Sequence, residues 1–156
     1  MTGQEAAAIV RQERRCLTHI LQAYPPDKGG FVPAPGMMTA AQQVNHVAQT
    51  IRWFAKGAFG GGFDMDFEKM EADNRADITW NEATRRINAA YDDFIAFLET
   101  LSNGKLDVPM PANPIAPEGA PRSVVIFAQN DHTAHHRGAL SVYLRLLGVV
   151  PPMVYG

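Results

Sequence analysis

Three segments of this 156-residue chain open with the same signal for the start of a helix. In each segment a threonine stands three positions before a glutamate or a glutamine: Thr2 before Glu5, Thr39 before Gln42, and Thr79 before Glu82. Such a pair forms a capping box, in which the two side chains bond to backbone amides that the first turn leaves free. Each box precedes a long segment with apolar residues at helical spacing, whereas alternating strand patterns are nearly absent. The chain is therefore expected to be all-α.

Four long helices are predicted. Their expected bounds are about Gly3 to Ala23, Thr39 to the glycines at 57 and 60–62, Thr79 to Ser102-Asn103-Gly104, and about Ser123 to Leu147. Pro25-Pro26 ends the first helix, and Gly148 suits the C-terminal cap of the last. Four amphipathic helices, each long enough to span a domain of this size, predict a four-helix bundle. We expect one domain over residues 1–156.

The three connections are longer than the roughly 2–8 residues that helix bundles usually need. They run from Tyr24 to Met38, from Gly57 to Asp77 and from Ser102 to Arg122. One of them is expected to be a crossover between helices that are not sequential neighbours. The segment 63–67 either packs on the surface, which is favoured, or covers the mouth of a site. Asp64, Asp66 and Glu68 are the acidic candidates for a role there.

Composition restricts the class of protein. The chain is 46% hydrophobic and 19% charged with a net charge of −2, which is typical of a globular protein and unfavourable for binding nucleic acid. No apolar run approaches the length of a membrane span. Cys16 is the single cysteine, so an internal disulfide is excluded and a cytoplasmic location is the default expectation.

His132 and His136 lie one turn apart in the last predicted helix and so share one of its faces. At roughly 100° of rotation per residue, apolar residues such as Leu140 and Tyr143 share that face, whereas Arg137 falls on the opposite side. An unpartnered polar group in a core costs about 1–3 kcal/mol. Either the two imidazoles bind a metal ion together, or they bond to backbone groups and buried water; the residues alone favour neither.

A catalytic metal site usually has three protein ligands, and the remaining histidines are the first candidates for the third. His135 rotates away from the face of His132 and suits a partly exposed hydrogen bond. His19 lies one turn from Cys16, where packing of a buried cysteine is favoured over metal binding. His46 falls just outside the apolar stripe of its helix, so periodicity supports an inward orientation only weakly, although Trp53 widens the buried arc.

Several familiar motifs are absent. Thr133 stands where a zinc protease has the glutamate of HExxH, and no Glu-x-x-His pair suggests a di-iron centre. The glycines at 60–62 lack the lysine and the preceding strand of a phosphate-binding loop.

Two separated motifs together resemble the DinB-like (damage-inducible) family. They are the run Gln43-Val44-Asn45-His46 and the later run His132-Thr133-Ala134-His135-His136-Arg137-Gly138, and the tail at 143–152 is also similar to that family. The resemblance extends over nearly the whole chain in helix order and length. It implies a four-helix bundle of up-down-down-up topology, the DinB/YfiT-like metalloenzyme architecture, often assembled as a homodimer.

The resemblance also implies a divalent metal ion, zinc, nickel or iron, bound by His46, His132 and His136. It implies a small-molecule substrate, with transfer of a low-molecular-weight thiol as the expected reaction. The charge balance and the lack of a long apolar run predict no nucleic-acid or membrane partner. Ala139 stands where the family often has glutamine, so one polar contact near the metal is expected to be missing. The alternative is a non-catalytic bundle that binds a metal or a ligand for stability, sensing or assembly.

Overall fold

The computed structural model describes residues 1–155, and five α-helices make up its regular structure. They are α1 (Gly3–Ala23), α2 (Ala40–Phe59), α3 (Phe67–Arg75), α4 (Trp80–Thr100) and α5 (Val124–Leu146), with a short 3₁₀ turn at Pro26–Lys28. Within residues 1–155 the only β-type pairing is an isolated bridge between Pro109 and Pro121. The all-α expectation is confirmed. None of the five helices is long and apolar enough to cross a membrane.

The threonine caps define three of the helix starts. Thr2 and Thr39 each form the complete reciprocal box with the residue three positions on. At α4 only half of the predicted box forms: Thr79 accepts from the backbone amide of Glu82, while the Glu82 carboxylate binds Arg85 and Arg86. The cap that satisfies a free amide is thus retained, and the acidic side chain is drawn away by two nearby cations.

The connection predicted between residues 57 and 77 differs from the structure in two ways. First, α2 continues past Gly57 to Phe59, and the ring of Phe63 lies against the helix where Gly57 has no Cβ. Second, the segment contains α3, whose N-cap Asp66 accepts from the amide of Lys69. Asn74 is its one buried residue, so α3 lacks the apolar periodicity by which the other helices were recognised.

The four long helices pack around one apolar core. α1 lies against α4 and α5, and α2 lies against the same two helices. Arg11 pairs with Glu99 and Arg14 pairs with Asp92, so successive residues of α1 meet earlier residues of α4, and these two helices run in opposite directions. The largest fully buried side chains include three tyrosines, Tyr24, Tyr91 and Tyr143.

The last helix buries two faces rather than one. His136 faces α2, as expected, but Arg137 is also buried and pairs with Glu13 of α1. The prediction that Arg137 lies on the outer side was wrong. An arginine enters an interior when a carboxylate pairs with it, and the partner here lies 124 positions away in the sequence, beyond the reach of helix periodicity.

Candidate metal centre

Three histidine side chains meet between α2 and α5. His46 comes from the middle of α2, and His132 and His136 come from successive turns of α5. One ring nitrogen from each lies within 4.8 Å of the others, and the Nε2 atoms of His46 and His132 are 3.1 Å apart. His136 is buried and the other two are half-buried. The structure therefore brings together all three histidines that the sequence singled out.

His46 faces inward because the buried arc of α2 is wider than its apolar stripe. Gln42, Gln43, Asn45 and Thr50 are buried beside the apolar residues of this helix. Periodicity counts apolar positions only, so it places His46 at the edge of the stripe. The buried polar residues extend the arc far enough to include His46.

The spacing of the rings suits ligands of one ion. Two nitrogens bound to a tetrahedral zinc ion at about 2.0–2.1 Å are about 3.3 Å apart. The distance of 3.1 Å between Nε2 of His46 and Nε2 of His132 is close to that value. A set of imidazole nitrogens is a donor set that zinc, nickel and iron accept. The residues present thus fit a divalent transition metal.

A chain of hydrogen bonds sets the tautomer of His136. Its Nδ1 donates to Oε1 of Gln43, whose Nε2 lies 3.2 Å from the hydroxyl of Tyr143 and donates to it. The Tyr143 hydroxyl in turn donates to the carbonyl oxygen of Met38 at 3.0 Å. Because an amide oxygen only accepts, the proton of His136 sits on Nδ1, and Nε2 keeps the lone pair that a metal needs.

His46 is held in the same way from a different element. Its Nδ1 lies 2.9 Å from Oδ1 of Asn74, which is buried and belongs to α3. The amide oxygen accepts the ring proton, so Nε2 of His46 also keeps its lone pair and points toward His132. Two of the three rings are therefore oriented by side chains that contact only their outer nitrogen.

Sequence reasoning assigned no role to either of these partners. Gln43 stands three residues before His46 in the run that carries the family resemblance, and that position was the available signal. Asn74 lies in a segment without a helical pattern, and no signal pointed to it. The contact that Ala139 is expected to lack stays a prediction, and the polar contact observed at His136 comes from Gln43 of α2.

Burial keeps the three imidazoles neutral. It lowers the pKa of His132 to about 4 and that of His136 to about 3, and the neighbouring rings add to both shifts. Burial likewise lowers the pKa of His46, although the bond to Asn74 partly opposes this. At pH 7 each ring is uncharged and its lone pair is available, which is the protonation state that metal binding requires.

The other sequence candidates lie outside the trio. His135 is exposed, and His19 is on α1, near the buried Cys16. Asp66 caps α3. Glu68 is exposed. Of these acidic candidates, Asp64 borders a cleft beside His46.

A cleft of about 200 Å³ opens beside His46, between α2 and the segment that contains α3. Trp53 and Lys56 of α2 form part of one side, and Asp64, Met70 and Asp73 form part of the other. Asn74 also lines the cleft, so the residue that holds His46 borders the same space. A small molecule in this cleft would reach the trio from the His46 side.

Comparison with known proteins identifies the family. The sequence model of the DinB superfamily matches residues 9–140. The structure is similar to the crystal structure of a DinB-like protein, YjoA, from Bacillus subtilis, with a TM-score of 0.69 and 18% sequence identity over 96% of this chain and 97% of that chain. Comparison with curated proteins gave no match. Because the family match covers far more than half of the sequence, the chain belongs to the DinB superfamily.

Proposed function

We propose that this protein is a divalent-metal-dependent enzyme in which His46, His132 and His136 hold the metal ion. The observation that carries the proposal is the convergence of three neutral imidazoles, with ring nitrogens within 4.8 Å, in a site that no apolar packing requirement explains. Three uncharged rings gain little from one another, whereas one shared cation satisfies all three lone pairs.

A divalent ion on three imidazoles supplies Lewis acidity and lowers the pKa of a thiol or a water molecule that binds it. The chain's own residues supply orientation. Gln43 and Asn74 fix the rings of His136 and His46 with their Nε2 atoms directed inward. Trp53 and Met70 give the adjoining cleft apolar surface for a small substrate.

The proposed reaction is transfer of a low-molecular-weight thiol to an electrophile. Support comes from the chain's lone cysteine, Cys16, which is buried in α1 and so is a poor nucleophile for a substrate in the cleft. The attacking sulfur is therefore proposed to come from a co-substrate. Its sulfur forms a bond to an electrophilic carbon, the leaving group departs with the electron pair of its own bond, and the thiol proton passes to solvent.

The test uses protein purified without an affinity tag, so that a column metal is not carried over. Metal content is measured by elemental analysis, and thiol transfer to an activated aryl chloride is followed by absorbance. We expect about one metal ion per chain and a rate that chelation abolishes. His132→Ala should lose both metal and activity, whereas His135→Ala, on the exposed side of the same helix, should keep both. Equal rates for wild type and His132→Ala would exclude this mechanism.

The second candidate is a bundle that binds the metal without catalysis. The burial of His136 favours this candidate, because protein would then largely enclose a bound ion. Cobalt substitution separates the two candidates. A visible cobalt spectrum that changes when a small thiol is added supports the enzyme, because a coordination position is then open. A spectrum that thiols leave unaltered supports the enclosed, non-catalytic site.

We also propose the up-down-down-up arrangement for the four long helices. One support is that α1 and α4 run in opposite directions. Another is that α2 and α4 run in the same direction, because Asn45 contacts Arg86 and Phe59 contacts Phe97. In contrast, α2 and α5 run in opposite directions, because Gln43 contacts Tyr143 and His46 contacts His132.

A homodimer is the proposed assembly. It is supported by large apolar side chains left exposed on α5, namely Phe127, Val142 and Leu146. Light scattering of the purified protein tests it, and a mass of one chain at micromolar concentration would contradict it. A cytoplasmic location is proposed on the lone free cysteine, which suits a reducing compartment.

A further inference from the structure

We infer that α3 is a movable cover over the cleft, and that Asn74 is a positioning residue that couples this cover to His46. Closing of α3 and occupation of the histidine site then favour each other. The inference rests on the proposed metal site and adds to it a mechanism by which the cleft and the site communicate.

The attachment of α3 to the rest of the protein is mainly polar. Nε2 of Gln42 donates to the carbonyl oxygens of Arg75 and Ala76, at 2.8 and 3.4 Å. The Arg75 guanidinium donates to the carbonyl oxygen of Gly36 at 2.8 Å. Ahead of the helix, Nε1 of Trp53 donates to the carbonyl oxygen of Asp64 at 2.8 Å. The bonds of Arg75 and Trp53 are exposed to solvent, where water replaces a broken bond at low cost, whereas those of Gln42 are partly buried.

Apolar burial adds little to this attachment. Asn74 is the one buried residue of α3, Met70 is half-buried, and Phe67, its largest apolar side chain, is 51% exposed. α3 packs mainly on α2, and slightly, whereas each long helix packs on two other long helices. A segment with few buried apolar contacts and exposed hydrogen bonds is the kind that opens locally without global unfolding.

The chain before α3 is suited to act as a hinge. Gly61 and Gly62 have φ angles of 103° and 127°, in a region that side-chain-bearing residues rarely adopt. No other atoms surround the positions that Cβ atoms would take there. Two glycines in open space have the local backbone freedom that a hinge needs.

Asn74 gives the cover a direct contact with the histidine trio. When α3 is closed, Oδ1 of Asn74 lies 2.9 Å from Nδ1 of His46. An imidazole that binds a cation through Nε2 becomes a stronger hydrogen-bond donor at Nδ1. Binding at the trio therefore strengthens the bond that holds α3 closed. By thermodynamic reciprocity, loss of closure weakens binding at the trio by the same factor.

A substrate bound in the cleft would also favour the closed position of α3. Its two sides belong to different elements, with Trp53 and Lys56 on α2 and Met70 and Asp73 on α3. A molecule that contacts both sides favours the closed position of α3. It thereby favours the orientation of His46 that Asn74 maintains.

The test compares zinc affinities, measured by competition with a chromophoric chelator, for wild type and three variants. Asn74→Ala should weaken zinc binding about 10–100-fold, the usual effect of losing a partner behind a metal ligand. Asn74→Asp keeps an accepting oxygen and should restore most of the affinity. Lys69→Ala changes an exposed residue of the same helix that neither lines the cleft nor bonds to His46, and it should stay within about twofold of wild type.

A fourth variant separates a cover from a simple support for the ring. Arg75→Ala removes the bond to Gly36 and the ion pair with Glu71, and it loosens α3 without removing a direct contact of His46. It should weaken zinc binding about two- to tenfold if closure and binding are coupled. Hydrogen exchange gives a second readout: zinc should slow exchange of the amides of residues 67–75 in wild type and in Asn74→Asp, but not in Asn74→Ala.

The inference is overturned if Asn74→Ala or Arg75→Ala binds zinc as tightly as wild type, or if zinc protects α3 equally in Asn74→Ala. In either case the metal site itself stands. If wild type fails to bind zinc, the proposed metal site fails together with the inference. Arg75→Ala changes an exposed side chain, so it also serves if Asn74→Ala does not fold.

Discussion

Arg137 of α5 and Glu13 of α1 form a buried ion pair, 2.6 Å from Nη1 to Oε1, with only 8% and 12% of their side chains exposed. Nη2 of the same arginine donates to the hydroxyl of Tyr155 near the C-terminus at 2.7 Å. Burial raises the pKa of Glu13, and the positive charge of Arg137 only partly offsets it. The ion pair and the bond to Tyr155 therefore link α1, α5 and the C-terminal segment. Removing either charge leaves the other one buried without a partner.

We expect Arg137→Ala to destabilise the fold by about 3–5 kcal/mol, because it leaves the Glu13 carboxylate buried without a partner. The double variant Glu13→Leu with Arg137→Met should recover much of that loss, since no charge then remains in the interior. Urea unfolding measures the free energy of unfolding of the single and the double variant. Arg85→Ala, which removes a surface ion pair with Glu82, is the control and should change stability little. A double variant as unstable as the single one would contradict the argument.

Gln43 is predicted to set metal affinity through His136. Gln43→Ala should weaken zinc binding about 10–100-fold, because the His136 ring loses the acceptor that fixes its tautomer. Tyr143→Phe removes only the hydroxyl that binds the other end of the Gln43 amide, so its effect should be smaller. Competition with a chelator measures the zinc affinities of wild type and of both variants. If Tyr143→Phe weakens binding more than Gln43→Ala, the hydrogen-bond chain does not act in the order described.

The sequence predicts the features that depend on nearby residues and misses those that depend on distant ones. Caps and apolar spacing locate the four long helices within a few residues, because both signals act within one or two turns. The spacing of His132 and His136 is equally local. The role of His46 required the family resemblance, since its burial depends on the polar residues around it. The contacts of Asn74 and Arg137 join segments far apart in sequence, where neither periodicity nor capping carries information.

Acidification is predicted to destabilise the metal-free protein through the trio. Burial lowers the folded-state pKa of His132 to about 4 and that of His136 to about 3, below the value near 6.5 of an exposed imidazole. Between these values the unfolded chain binds more protons than the folded one. The stability contribution is therefore complete above about pH 6.5 and declines as the pH falls toward 3.

Thermal unfolding at pH 7.5 and pH 5 measures this decline. The raised pKa of Glu13 acts in the opposite direction, so wild type must be compared with a variant that lacks the imidazoles. His132→Asn combined with His136→Gln should lose less stability between the two pH values than wild type does. Equal losses in the two proteins would show that other groups cause the pH dependence.

Two helical glycines are predicted to respond oppositely to alanine. At Gly138, on the exposed side of α5, no atoms surround the position of a Cβ, so Gly138→Ala should stabilise the protein by about 0.5–1 kcal/mol through the lower backbone entropy of its unfolded chain. At Gly57 of α2 a Cβ would overlap the ring of Phe63, so the same change should displace Phe63 and destabilise the fold. Urea unfolding of both variants measures the difference. Because Phe63 precedes α3, Gly57→Ala should also speed hydrogen exchange over residues 63–75, whereas Gly138→Ala should leave it unchanged. Stabilisation by both substitutions would mean that the close contact between Phe63 and α2 contributes nothing to the fold.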